Sequence, residues 1–170
     1  MTFEAVVETI RRRDDCELLQ QAGQPRLAPE MRLPRDVERL YEVCGGAKFG
    51  IFEDDHFSWR IGSPSEFVPA PPVLFAGFYE HEKSFLENHW AQCFHVFAEN
   101  QPAQDRILVS CGDRYHGLFF DGHHESFACD TMELVARSLP ELLTALLESK
   151  DGRLPRPAHP SERVFRSQLD

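Results

Sequence analysis

Residues 33–50 read LPRDVERLYEVCGGAKFG, and no other stretch restricts the fold of this chain so much. Pro34 suits the first position of a helix, where a missing N–H is no loss. Asp36 and Glu38 put negative charge at the positive end of that helix. Val37, Leu40, Tyr41 and Cys44 recur at helical spacing on one face, so the helix must be covered from that side. Gly45 is expected to take the left-handed conformation that ends it. The chain then runs straight into strand-like KFGIFE at 48–53. A helix of barely three turns thus empties directly into a sheet, and the apolar face of each must find the other.

More strands follow. FSWRI at 57–61 sets Phe57, Trp59 and Ile61 against Ser58 and Arg60, the alternation of a half-buried strand. Glu53-Asp54-Asp55 between these two strands reads as a hairpin tip. Residues 62–78 hold four prolines and read as a long loop, with a short helix expected over 80–90. CFHVFA at 93–98, RILVSC at 106–111 and YHGLFF at 115–120 read as strands. Asp121-Gly122 is a two-residue hairpin signal, returning the chain through HHESFAC at 123–129.

Helices bracket this run. Phe3, Val6, Val7 and Ile10 predict an amphipathic helix over 2–13, with Arg11, Arg12 and Arg13 at its negative end. Residues 21–32, with Gly23, Pro25 and Pro29, read as an irregular connector. Asp130 to Glu133 and Ser138 to Glu141 have capping-box spacing. Pro140 falls in the first turn after the second cap, and Leu139, Leu142, Leu143, Leu146 and Leu147 make an apolar stripe behind it. The expected fold is α+β, an antiparallel β-meander of about five to six strands packed against N-terminal and C-terminal helices. Residues 1–149 are expected to form a single domain. Residues 150–170, with three prolines and mixed charge, are expected to be a mobile tail.

Composition narrows the function. Twenty-eight acidic residues against eighteen basic ones give a net charge of −10, which disfavours nucleic acid or an anionic membrane as direct partner and favours a basic one. The five cysteines, at 16, 44, 93, 111 and 129, are odd in number and form no C-x-x-C pair. They read as reduced, mostly buried thiols. The N-terminal stretch lacks a signal-peptide pattern, and no apolar run approaches the roughly 18 residues of a membrane helix. A cytoplasmic location is expected.

The sharpest chemical candidate is CGDRYHGLFFDGHHESF, where His116, His123 and His124 crowd with Asp113 and Asp121. If Asp121-Gly122 is the turn, His123 and His124 face opposite ways, and His116 lies roughly 13 Å from His123 along the strand. Zinc needs ligands about 2 Å away, so the histidines make no metal site by themselves. Cys111, His116 and Asp121 suggest a nucleophilic triad, but a cysteine ending an apolar strand is more often a buried, inert thiol. His81, His89 and His95 are scattered. No HExxH, Walker loop, GxGxxG or G-x-S-x-G occurs, and no cofactor is expected.

The residues that shape the fold carry a resemblance. LPRDVERLYEVCGGAKFGIF, the meander, and LVARSLPELLTALLES resemble the SUKH superfamily, which includes yeast Smi/Knr-type cell-wall regulators and many bacterial immunity proteins. Leu33-Pro34 matches the family's helix opening, and Gly45-Gly46 stands where Asn-Gly is usual. Ala136, Ser138, Leu139, Glu141 and Leu142 match its closing helix. The resemblance implies a non-enzymatic protein-binding domain, often one that neutralises a toxin, frequently a nuclease. It supplies no catalytic residues. On that reading an acidic face docks over a basic toxin groove, with Glu53, Asp54 and Asp55, then Glu80 and Glu82, as expected contacts. Two alternatives remain at this level: a regulatory scaffold like the fungal members, and a metal-dependent hydrolase using the histidine-rich hairpin. No oligomeric state is read from the sequence.

Overall fold

The structure is a computed structural model describing residues 1–52, 56–76, 89–101, 105–123, 126–127 and 132–149. Seven strands follow one another across one antiparallel sheet in chain order. They are β1 (Cys16–Leu18), β2 (Ala47–Ile51), β3 (Phe57–Ile61), β4 (Phe94–Asn100), β5 (Arg106–Ser110), β6 (Phe119–Asp121) and β7 (Leu134–Ala136). The helices are α1 (Phe3–Arg12), α2 (Arg35–Val43), α3 (Ala70–Leu74), α4 (His89–Gln92) and α5 (Leu139–Glu148). The α+β meander expected from the sequence is therefore present, with more strands than the five or six anticipated.

One sheet face carries the main core. Ala47, Phe49, Trp59, Ile61, Ile107, Val109 and Phe119 meet the buried stripes of α1, α2 and α5. The α5 stripe of five leucines is buried, and each such leucine contributes roughly 1.5–3 kcal/mol of transfer free energy. Ser138 caps α5 by accepting from the Glu141 N–H at 3.4 Å, while Glu141 Oε2 accepts from the Arg137 N–H at 2.8 Å. The register of β4 shifts between Val96 and Ala98, and both Phe97 and Ala98 join this core. A smaller core lies on the other face, where Phe94, Leu108, Phe120 and Leu134 are covered by Ala70, Leu74, Ala91, Phe127 and Met132. Neighbours in sequence thus serve different cores: Phe119 the first and Phe120 the second.

Several local expectations change. Pro34 caps α2 from outside rather than opening it, and the helix ends at Val43 with Cys44 extended. Gly46, with φ +131°, takes the left-handed position expected of Gly45. Asp121-Gly122 is not a hairpin turn. Asp121 pairs with Ile107 inside β6, and the Gly122 N–H donates to Arg106 O at 2.8 Å. A type I′ turn needs positive φ at both central positions, and Gly122 is absent from the glycines that have it. Instead of a returning strand, the Ser126 and Phe127 N–H groups both fold onto His123 O, at 3.1 and 3.0 Å. Within 115–120 only Phe119 and Phe120 are strand, preceded by a 3-10 turn at Asp113–Tyr115. Of the capping-box pair expected at Asp130 to Glu133, Asp130 lies outside the described residues, and Glu133 leads into a strand. Leu134–Ala136 form a strand because the open edge of β6 takes up their backbone and both cores take up their side chains.

Candidate interaction surface

The five acidic residues expected to meet a partner, Glu53, Asp54, Asp55, Glu80 and Glu82, lie outside the described residues, as do His81, His124, Cys129 and the tail at 150–170. What the structure does show is a polar half of the sheet that the sequence reading did not single out. Side chains alternate across a strand, so the face opposite the main core presents Glu17 on β1, Lys48 on β2, Arg60 on β3, Glu99 on β4 and Arg106 on β5. Backbone register lines them up directly: Glu17 opposite Lys48, Lys48 opposite Arg60, Arg60 opposite Glu99, Glu99 opposite Arg106.

These charges are tied together. Lys48 Nζ lies 3.3 Å from Glu17 Oε2. Arg60 Nη2 donates to Glu66 Oε1 at 2.5 Å and to Glu99 Oε1 at 2.6 Å, and its Nη1 and Nε complete both contacts at 3.2 Å. Glu66 is in turn held by the Ser63 N–H and hydroxyl, both at 2.8 Å. Burial works against ionising Glu66, yet the Arg60 guanidinium and the Ser63 bonds hold its carboxyl below the ordinary value. The cations sit low and the carboxylates stand out. Side-chain exposure is 16% for Lys48 and 24% for Arg60, against 50% for Glu17, 43% for Glu66 and 40% for Glu99. An open pocket of about 390 Å³ lies over this ladder, lined by Lys48, Arg60, Glu99, Arg106 and Gln101 among others.

Among the described residues no comparable assembly of reactive groups appears. Among the described residues no three of His, Cys, Asp and Glu are placed to hold a metal ion. Cys111 is 2% exposed, and burial pushes its thiol up to about 12, so it is a poor nucleophile near neutral pH. Cys16 is likewise pushed up to about 11 by burial. Cys16, Cys44, Cys93 and Cys111 are all free thiols. The arginines closing α1 are partly structural: Arg13 grips Asp15 at 2.5 and 2.7 Å and donates to Leu147 O at 2.8 Å, joining α1 to the end of α5.

His95 has a packing role. It is buried, stacked on Phe67 with ring centroids 5.1 Å apart, and its Nδ1 lies 3.4 Å from Cys93 O. Burial pushes the imidazole down to about 4 from an ordinary value of 6.5. Between these values the unfolded chain binds the proton and the folded chain does not. Stability is therefore full above about pH 6.5 and is lost as pH falls toward the folded value, by roughly 3 kcal/mol over the whole window. Urea titrations from neutral pH to about pH 4.5 should show a steeper loss in the wild type than in His95→Leu, with the carboxylates contributing to both. Equal slopes would remove His95 from the account.

The helix-flanked antiparallel meander, with Leu33-Pro34 before α2 and Ser138 to Leu142 at the start of α5, is consistent with the resemblance to the SUKH superfamily. Over 151 residues, 88% of this chain and 86% of the relative, the chain is 24% identical to the Immunity protein YokJ of Bacillus subtilis (strain 168). No family model matches the chain. Among the described residues no helix is long and apolar enough to cross a membrane.

Proposed function

We propose that this protein is an immunity-type inhibitor: a non-catalytic, cytoplasmic domain formed by residues 1–149 that binds a basic toxin domain, with nucleases the leading class, and covers its substrate groove. The observation that carries this reading is the similarity to an immunity protein along 88% of the chain. The charge of −10 supports a basic partner. A contact of about 800 Å² on each partner would suffice, and complementary charge would raise the association rate.

Co-expression supplies the test. Cells making a toxin domain encoded beside this gene should survive when this chain is present, and the two proteins should co-purify. Association should slow as salt rises, because steering between exposed charges is screened over about 10 Å at 0.1 M. Death of the cells despite abundant folded chain would refute the reading. The regulatory alternative predicts an intracellular partner and no toxin gene alongside.

A further inference from the structure

We infer that the ladder face of the sheet, with Phe52 at its end, is the surface that receives the partner, and that it takes arginine or lysine side chains from a basic protein. This inference rests on the binding reading above and names the surface it leaves open. The first ground is chemical. Glu17 uses Oε2 toward Lys48, and Glu99 uses Oε1 toward Arg60, so among the described residues Glu17 Oε1 and Glu99 Oε2 accept no hydrogen bond. Each is half exposed, and each is fixed from below by a cation that is itself mostly covered. An incoming guanidinium or ammonium meets the more exposed acceptors first and the less exposed cations second. Holding the acceptors in advance removes part of the side-chain ordering cost of association.

The second ground is apolar and independent. Phe52 is 57% exposed and, with Met1 and Val43, is one of three exposed large hydrophobic side chains among the described residues. Its N–H donates to His56 O at 2.7 Å, continuing the β2–β3 ladder beyond Ile51. Ile51 pairs with Phe57 in continuous register with Phe49 and Trp59 despite the positive φ of Gly50, so Phe52 falls on the face of Lys48. Aromatic anchors are over-represented at protein contacts. Glu17 to Glu99 crosses three inter-strand spacings, about 14 Å, and Lys48 to Phe52 spans four residues, about 13 Å. That patch is the centre of an interface rather than all of one.

The face can be examined without the partner. A capped hexa-arginine peptide, titrated into the full chain and followed by amide NMR shifts, should produce saturable changes centred on Glu17, Lys48, Arg60 and Glu99. Hexaglutamate should produce none there. The Glu17→Gln/Glu99→Gln double variant, which changes only half-exposed side chains, should bind the peptide about tenfold more weakly. Shifts spread equally over the acidic helix surfaces, such as Glu4, Glu8, Glu38 and Glu42, would overturn the assignment, as would an unweakened double variant. The cell assay separates the two proposals. If wild type protects and a Glu17→Gln/Phe52→Ser/Glu99→Gln variant protects equally well, the surface is wrong and the inhibitor reading stands. If the wild type fails to protect while the peptide map holds, the inhibitor reading fails and the surface stands.

Discussion

Replacing Gly46 by alanine is expected to destabilise the fold by about 4 kcal/mol, because two independent costs fall on one atom. Gly46 holds φ +131°, a conformation that side-chain-bearing residues rarely adopt. A Cβ there would also lie 2.5 Å from the Ile61 carbonyl oxygen and 3.0 Å from that of Gly62. Neither atom can swing away. Ile61 is in register with Ala47, and the Gly62 carbonyl accepts from the Tyr41 hydroxyl at 3.0 Å. Gly45 is constrained differently. Its φ is ordinary, but its Cβ would lie 2.0 Å from Gln20 O, where β1 and its continuation close against the α2–β2 joint. That joint is stitched by the Gly45 N–H to Leu19 O and the Leu19 N–H to Gly46 O, both at 2.9 Å. Urea unfolding of Gly46→Ala should show a much lower midpoint with an unchanged slope. A loss below about 1 kcal/mol would mean that the β2–β3 ends can part freely.

Trp59→Ala is expected to cost about 3–5 kcal/mol, the range for emptying a fully buried aromatic site. Trp59 has no exposed surface and stands in register with Phe49 on one side and Asn100 on the other, under the main helical layer. Its Nε1 has no hydrogen-bond partner among the described residues. A buried unsatisfied N–H costs about 1–3 kcal/mol, so Trp59→Phe, which removes it along with some volume, should lose much less than Trp59→Ala. Equal losses in the two variants would contradict this division between volume and polarity. Chemical denaturation of both, monitored by far-UV circular dichroism, decides it.

These two sites also mark what could be read from the sequence. Alternation alone sets Phe57, Trp59 and Ile61 on one face of a strand and Arg60 on the other, because a half-buried strand writes its faces at every second residue. The leucine stripe and its Ser138 cap were equally plain, since a ten-residue helix repeats its pattern enough times to be counted. The edges were not. Cys16–Leu18 and Leu134–Ala136 are three-residue strands, too short to carry a period, and their pairing is decided by the neighbouring backbone. Asp121-Gly122 misled because turn propensity is local, whereas β5 and the covered Phe120 extend β6 through that position. Within the interaction surface, alternation correctly turned Arg60 away from the core. No sequence signal, however, says that Lys48 and Glu99 lie beside it, since register across strands distant in sequence is a tertiary property. The acidic triplet drew attention because it is contiguous. Glu17, Glu66 and Glu99 are scattered along the chain and join one charged ladder only through the sheet and the loop that follows β3.

The central claim is that this protein acts by covering a surface and performs no chemistry on what it meets. Titration of a purified, active cognate toxin domain with the full chain tests it most directly. Toxin activity should fall linearly to zero at one equivalent, and toxin released from the complex by denaturant and refolded should regain full activity at unchanged mass. Complete inactivation by a small fraction of an equivalent, or a released toxin of altered mass, would contradict it.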